Sequence, residues 1–137
     1  MAIQKTAREK AKITRRLREF LVARSEIEFA YLHGTFVGEA PFNDIDVTIY
    51  LNSNVGDEFD YAMDLSVEAT LLLHIPVDVQ TMNHAPLSFQ HPVLHSGKLL
   101  FARNELFLAE YLERLSLEYM DFTHHLPDYL EALTTLK

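Results

Sequence analysis

Residues 32–51, LHGTFVGEAPFNDIDVTIYL, decide the fold of this chain. Polar and apolar side chains alternate strictly over residues 44–51, which predicts a β-strand with one face in the core and one face outside it. Asp44 and Asp46 then project from the same face, with Cβ atoms about 6–7 Å apart at the usual strand rise. Because the apolar face fixes the register of the strand, both carboxylates must point away from that core together.

Two carboxylates at this spacing suit a hard cation. They repel each other unless a positive charge lies between them, and Mg²⁺ commonly takes one or two carboxylates together with phosphate oxygens and water. On its own, Asp-x-Asp also fits an exposed strand face with incidental acids. The pair therefore predicts a metal site only in combination with other features.

Gly34 and Thr35 follow a predicted strand over residues 27–33. A glycine lets the backbone approach a ligand without a Cβ atom in the way, and the neighbouring hydroxyl can bind phosphate. If residues 36–40 form a helical turn, their free N–H groups add an anion site. The same dipeptide also fits an ordinary turn at the end of a strand.

Asp78 lies on a second alternating segment, residues 77–82, between Val77 and Val79. If that strand lies beside residues 44–51, three carboxylates converge. Three acids at one place suit two Mg²⁺ ions, or one Mg²⁺ and a general base.

The rest of the chain predicts helices around these strands. The C-terminal part is expected to form two helices, one from Asn104 to about Phe122 and one from Pro127 to residue 137. The whole order predicts an α+β protein with a mixed β-sheet flanked by helices. The other predicted elements are helices at residues 5–24, 57–74 and 86–96 and a strand at residues 98–102, and the second of these helices is predicted from Phe59, Met63, Val67, Leu71 and His74.

Composition and charge narrow the class of protein. A chain of 137 residues suits one domain, and the lack of cysteine excludes disulfides and thiolate metal sites. Residues 1–24 carry eight of the twelve Lys and Arg and two acids, a charge of +6, whereas the remainder carries −14. An acidic body makes direct nucleic-acid binding an unfavoured function. With no signal peptide or apolar span in the sequence, we expect a cytoplasmic protein without a membrane partner.

The stretch LHGTFVGEAPFNDIDVTIYL, followed by IPVDVQTM at residues 75–82, resembles the DNA polymerase β-like nucleotidyltransferase superfamily. That pattern is Gly-Ser, a spacer, Asp-x-Asp and a third Asp on a later strand. The length and the predicted C-terminal helices look most like minimal nucleotidyltransferase (MNT, MntA-type) antitoxins, which pair with HEPN-domain toxins. The resemblance implies one minimal domain over residues 1–137, with a basic helix at 1–25, a catalytic core at 26–103 and C-terminal helices at 104–137.

The resemblance also implies roles for the site residues. Gly34 and Thr35 would hold the β- and γ-phosphates of ATP, Asp44 and Asp46 would bind Mg²⁺, and Asp78 would complete the metal site and act as the base. The implied reaction transfers AMP from Mg²⁺-ATP to a tyrosine of the partner HEPN toxin, which silences the toxin.

Two departures from the superfamily pattern leave other functions open. Thr35 replaces the usual Ser, and residues 36–43 form a short spacer without Lys or Arg. The positive charge for a triphosphate would then come from Lys98, Arg103 or the basic first helix. The alternatives are an MNT-fold antitoxin that neutralises its toxin by binding alone, and a nucleotidyltransferase for a small-molecule hydroxyl.

Overall fold

The fold is a mixed sheet with helices on both faces. The computed structural model describes the backbone of residues 2–135 and the side chains of residues 2–121. In chain order the elements are α1 (Ala7–Val22), β1 (Ile27–His33), a 3₁₀ turn (Thr35–Val37), β2 (Ile45–Leu51), α2 (Glu58–Leu73), β3 (Val77–Thr81), α3 (Leu87–Ser96), β4 (Lys98–Ala102) and α4 (Glu105–Thr135). This order confirms the predicted α+β class.

Four strands of the described residues form one sheet in the order β3-β2-β1-β4. β1 pairs antiparallel with both β2 and β4, whereas β2 and β3 run parallel. A parallel pair needs a long connection between its strands, and α2 supplies it. β3 and β4 are therefore the two edge strands.

The apolar faces of β1 and β2 form a core with α1 and α2. Ile45, Val47 and Ile49 of β2 are fully buried there, as the alternation of residues 44–51 predicts. α1 begins with a capping box, in which the Thr6 hydroxyl accepts from the Glu9 N–H and the Glu9 carboxylate accepts from the Thr6 N–H.

The helix α2 forms where the sequence predicts it, and a second apolar stripe forms its core face. Its buried residues are Ala62, Leu65, Ala69 and Leu73. The residues from which the helix was predicted, Phe59, Met63, Val67 and Leu71, are exposed. Helical spacing indicated the element correctly, and of the two apolar stripes of α2 the one with two alanines and two leucines packs in the core.

The chain divides into two compact units, Met1–Asn104 and Glu105–Lys137. The described residues of the second unit form one helix, α4, which ends at Thr135. The prediction of two helices separated before Pro127 is therefore wrong. A proline removes one backbone hydrogen bond and often bends a helix, but a long helix can continue through it. No helix in the described part of the chain is both long and apolar enough to cross a membrane.

Candidate functional site

Parallel pairing of β2 and β3 brings two of the predicted site carboxylates together. Asp46 and Asp78 are register partners, so their side chains point from the same face of adjacent strands about 4.8 Å apart. Asp44 precedes β2 by one residue and is half-buried. The hypothesis that β3 would lie beside β2 is confirmed, and the three carboxylates lie at one end of the strand pair.

Electrostatics show that these carboxylates act on one another. Burial raises the pKa of Asp46 above its ordinary value, and the nearby charges of Asp44 and Asp78 raise it further. A raised carboxyl pKa means that the folded protein disfavours the charged form. A cation at this position would reverse that penalty, which is the electrostatic condition for a metal site.

The carboxylates do not form a ready-made cage. Among the described residues, no group of three or more acidic or imidazole side chains is arranged to hold a metal ion by itself. Mg²⁺ seldom uses such a cage, because it retains water and binds substrate phosphates alongside one or two carboxylates. The donor set of hard oxygens therefore fits a Mg²⁺ that arrives with a nucleotide.

Gly34 lies against these carboxylates at the end of β1. His33 pairs with Asp46 in the antiparallel register, and Gly34 follows directly. Gly34 has φ 79° and ψ −165°, a backbone region that only glycine adopts without strain. A Cβ atom there would overlap the Oδ2 atom of Asp46. The missing side chain is what allows the turn and the carboxylate to lie in contact.

Thr35 begins the 3₁₀ turn immediately after Gly34 and is exposed. The turn is closed by bonds from the Val37 and Gly38 N–H groups to the Gly34 and Thr35 carbonyls. A helical turn therefore does follow Gly34, over Thr35–Val37. Because Thr35 directly follows Gly34, whose backbone lies against Asp46, its hydroxyl and the first N–H groups of the turn are candidate partners for phosphate oxygens.

The N-terminal segment anchors the spacer between the turn and β2. Phe36 and Phe42 are buried and meet edge to face, with ring centroids 4.9 Å apart. Ile3 pairs with Phe42 through two backbone hydrogen bonds. The Lys10 ammonium donates to the carbonyls of Phe36 (3.2 Å) and Gly38 (2.6 Å) and lies over both rings. The basic helix therefore holds the turn in place.

Replacing Lys10 with Met should loosen the turn and lower the stability of the fold. Two charge-assisted bonds to carbonyls would be lost, at a cost of about 1–2 kcal/mol in unfolding free energy. The matched control is Lys12→Met, on the exposed side of the same helix. Urea unfolding checks both variants, and equal free energies of unfolding for the two would contradict the role of Lys10.

The three sources of positive charge considered from the sequence lie in different places. Arg103 is bound by the carbonyls of Val22, Arg24 and Ile27, at the far end of β1 from Gly34, so it cannot serve the site. Lys98 lines a cavity of about 360 Å³ beside the turn. Lys5 and Lys10 of the N-terminal segment line the same cavity. The interpretation of Arg103 as a phosphate partner is therefore wrong.

His33 is tied into the polar side of the sheet. Its Nε2 atom and the Oγ1 atom of the fully buried Thr48 lie 2.7 Å apart and share a hydrogen bond. Burial lowers the pKa of His33, although the charge of Asp78 opposes that shift. His33 is therefore neutral at neutral pH, and it packs edge to face against Phe89 of α3.

Two contacts of the site have no signal in the sequence. Gln80 donates from Nε2 to Asp78 Oδ2 at 3.1 Å, which orients that carboxylate. Lys10 reaches carbonyls that are 26 and 28 residues away along the chain. Neither residue belongs to a motif, and only the folded arrangement brings them to the site.

Comparisons with known proteins agree with this geometry. The family described as polymerase beta, nucleotidyltransferase matches residues 15–106, more than half of the chain. None of the curated proteins matches the chain at a significant level.

Solved structures share the fold over nearly the whole chain. One, a tri-AMPylated Shewanella oneidensis HEPN toxin in complex with MNT antitoxin, matches with a TM-score of 0.67 and 16% identity, covering 92% of this chain and 96% of that chain. A toxin–antitoxin MntA–HepT structure matches with a TM-score of 0.65 and 16% identity, covering 91% and 96%. A toxin–antitoxin structure with AMP-PNP matches with a TM-score of 0.65 and 17% identity, covering 90% and 98%.

At these identities the structural likeness establishes the fold, and the family match covers the turn at Gly34, all three carboxylates and the strands that carry them. The chain belongs to the polymerase β nucleotidyltransferase family.

Proposed function

We propose that this chain transfers AMP from Mg²⁺-ATP to a tyrosine hydroxyl of a HEPN-domain toxin and so acts as its antitoxin. The observation that carries the proposal is the register pairing of Asp46 with Asp78, directly beside the backbone of Gly34. A protein that only bound a partner would have no need to keep mutually repelling carboxylates against a glycine turn.

The residues would divide the reaction between them. Asp44 and Asp46, with Asp78, would hold Mg²⁺, which when bound supplies charge neutralisation for the triphosphate. Gly34 and Thr35 would hold the β- and γ-phosphates through backbone N–H groups and the hydroxyl.

The remaining step joins the acceptor to AMP. The tyrosine oxygen forms a bond to the α-phosphorus, the bond from that phosphorus to the β-phosphate oxygen breaks, and pyrophosphate leaves. Asp78, oriented by Gln80, accepts the phenolic proton. Catalysis of this kind depends mainly on positioning and charge.

The solved structures support the choice of acceptor and nucleotide. One contains a HEPN toxin that is AMPylated, and another contains AMP-PNP, a non-hydrolysable ATP analogue. These two structures cover 92% and 90% of this chain. We therefore extend the HEPN partner and the ATP substrate to this chain as part of the proposal.

The test is to incubate the purified chain with Mg²⁺, ATP and a HEPN-domain protein as the candidate partner, and to measure the intact mass of that partner. We expect a gain of one or more AMP units, which disappears with Asp44→Asn and persists with Glu19→Gln, an exposed acid on α1. A stable complex without any mass change would contradict the transferase and favour an antitoxin that acts by binding alone.

A further inference from the structure

One face of α2 carries an apolar ridge that the fold leaves uncovered. Phe59, Met63, Val67 and Leu71 are 69%, 49%, 54% and 70% exposed. Their spacing of four residues places them in one row about 18 Å long at the helical rise. We call these four residues the α2 ridge. Contiguous exposed apolar surface of this kind is typical of a protein-binding site.

A row of acids runs beside the α2 ridge. Asp60, Asp64 and Glu68 each follow a ridge residue by one position, which sets them about 100° further round the helix. α2 contains no Lys or Arg. Glu68 is neutralised by Arg24 at 2.6 Å, so Asp60 and Asp64 supply the acidic border. The surface therefore fits a partner with an apolar face bordered on one side by basic residues.

The edge of the sheet next to the ridge is closed to an added strand. The Val79 N–H donates to the Ser66 hydroxyl at 2.8 Å, and the Val77 N–H donates to the Thr70 hydroxyl at 2.9 Å. Because these outward N–H groups of β3 are already bonded, a partner cannot extend the sheet through them. A row of side chains with a spacing of four residues instead suits packing against another helix.

The α2 ridge is continuous with the candidate site. Phe59 and Met63 line a groove of about 840 Å³ whose other walls include Asp78, Gln80 and Phe89. The groove thus runs from the first half of the ridge to the carboxylate that is proposed to accept the proton. A protein bound on the ridge would lie next to the position at which an acceptor hydroxyl must arrive.

We propose that the α2 ridge docks an amphipathic helix of the acceptor protein, with Lys or Arg along the side that faces Asp60 and Asp64. This proposal rests on the proposed function and adds the surface that selects the acceptor. Docking there holds the acceptor beside the groove, so that its hydroxyl reaches Asp78 at a high effective concentration.

The test uses the double variant Val67→Lys/Leu71→Lys, which places charge on the ridge away from the groove and leaves the core face of α2 intact. Leu99→Lys is the matched control, because Leu99 is 44% exposed on β4, the opposite edge strand. We expect the double variant to bind the HEPN-domain partner at least about tenfold more weakly, by biolayer interferometry, and to AMPylate it correspondingly slowly. Its affinity for Mg²⁺·AMP-PNP and its melting temperature should equal those of Leu99→Lys.

A second variant, Asp64→Asn, tests the charge argument. It should weaken partner binding at low salt, and the difference from the unmodified chain should shrink at high salt. If both variants bind the partner as tightly as the control does, the docking surface is wrong even if AMP transfer is intact. If the chain binds the partner through the α2 ridge but transfers no AMP, the docking surface is supported and the proposed transferase activity is contradicted. A shift of the isolated chain from dimer to monomer in Val67→Lys/Leu71→Lys would instead assign the ridge to a second copy.

Discussion

Replacing Asp46 with Asn should slow AMP transfer by roughly a thousandfold, because the variant loses one of the metal-binding carboxylates while retaining the shape of the side chain. Asp46 is the carboxylate that connects both parts of the site, since it is the register partner of Asp78 on the adjacent strand β3 and lies against Gly34. The rate is measured from the appearance of AMP on the partner by intact mass spectrometry under single-turnover conditions.

The same variant should be at least as stable as the unmodified chain at neutral pH. The pKa of Asp46 is raised above its ordinary value of 3.8 by burial, by Asp44 and by Asp78. Because the folded state holds this proton more tightly than the unfolded state, the stability it provides is present at low pH and is lost as pH rises through the raised pKa. Asparagine does not titrate, so in Asp46→Asn this position contributes no pH dependence to the folding stability.

Melting temperatures of the unmodified chain and of Asp46→Asn, measured below and above the raised pKa of Asp46, check the direction of this pH dependence. The unmodified chain should lose stability relative to Asp46→Asn as pH rises through the raised pKa of Asp46. A variant that melts well below the unmodified chain at neutral pH would show that the Asp46 carboxylate stabilises the fold instead of forming an unsatisfied metal site.

Replacing Gly34 with Ala should damage both the fold and the activity. The backbone there has φ 79° and ψ −165°, and the new methyl group would meet the Asp46 carboxylate. We expect a loss of roughly 1–3 kcal/mol in unfolding free energy from the backbone conformation, and a nearly complete loss of AMP transfer since the turn or Asp46 must move.

Gly56→Ala separates the two causes. Gly56 also has a positive φ, 83°, but no atom lies within 4 Å of an added Cβ. It should lose stability through backbone strain of about 1–2 kcal/mol and keep its transfer rate. Urea unfolding and transfer assays on both variants make the comparison. Equal activity in the Gly34 and Gly56 variants would contradict the close approach of the turn to the carboxylates.

The elements that carry the site were predictable because their signals are local. The alternation over residues 44–51 fixes which face of β2 is buried. Gly34 indicates the end of β1, and Pro86 indicates the start of α3. The strand–helix–strand order is compatible with a parallel placement of β3 beside β2, which the sequence left as a condition and the observed pairing confirms. These features give the fold and the family before any contact is known.

The features that the sequence did not predict depend on distant partners or on competition between similar signals. The Lys10 ammonium donates to a carbonyl of the turn that is 26 residues away in the sequence. Arg103 donates to the Ile27 carbonyl at the far end of β1, which is more than 70 residues away. In α2, the apolar residues whose spacing predicted the helix are exposed, and a second stripe with Ala62 and Ala69 packs in the core. In α4, the proline at residue 127 suggested a break that the helix does not make.

Calorimetric titration of the purified chain with AMP-PNP, with and without Mg²⁺, tests the central claim most directly, because it needs neither the partner nor turnover. The account predicts binding that requires Mg²⁺, is lost in Asp46→Asn and is weakened in Lys10→Met. Binding of equal strength without Mg²⁺, or unchanged binding in Asp46→Asn, would contradict the assignment of Asp44, Asp46 and Asp78 as the metal site of a nucleotidyltransferase.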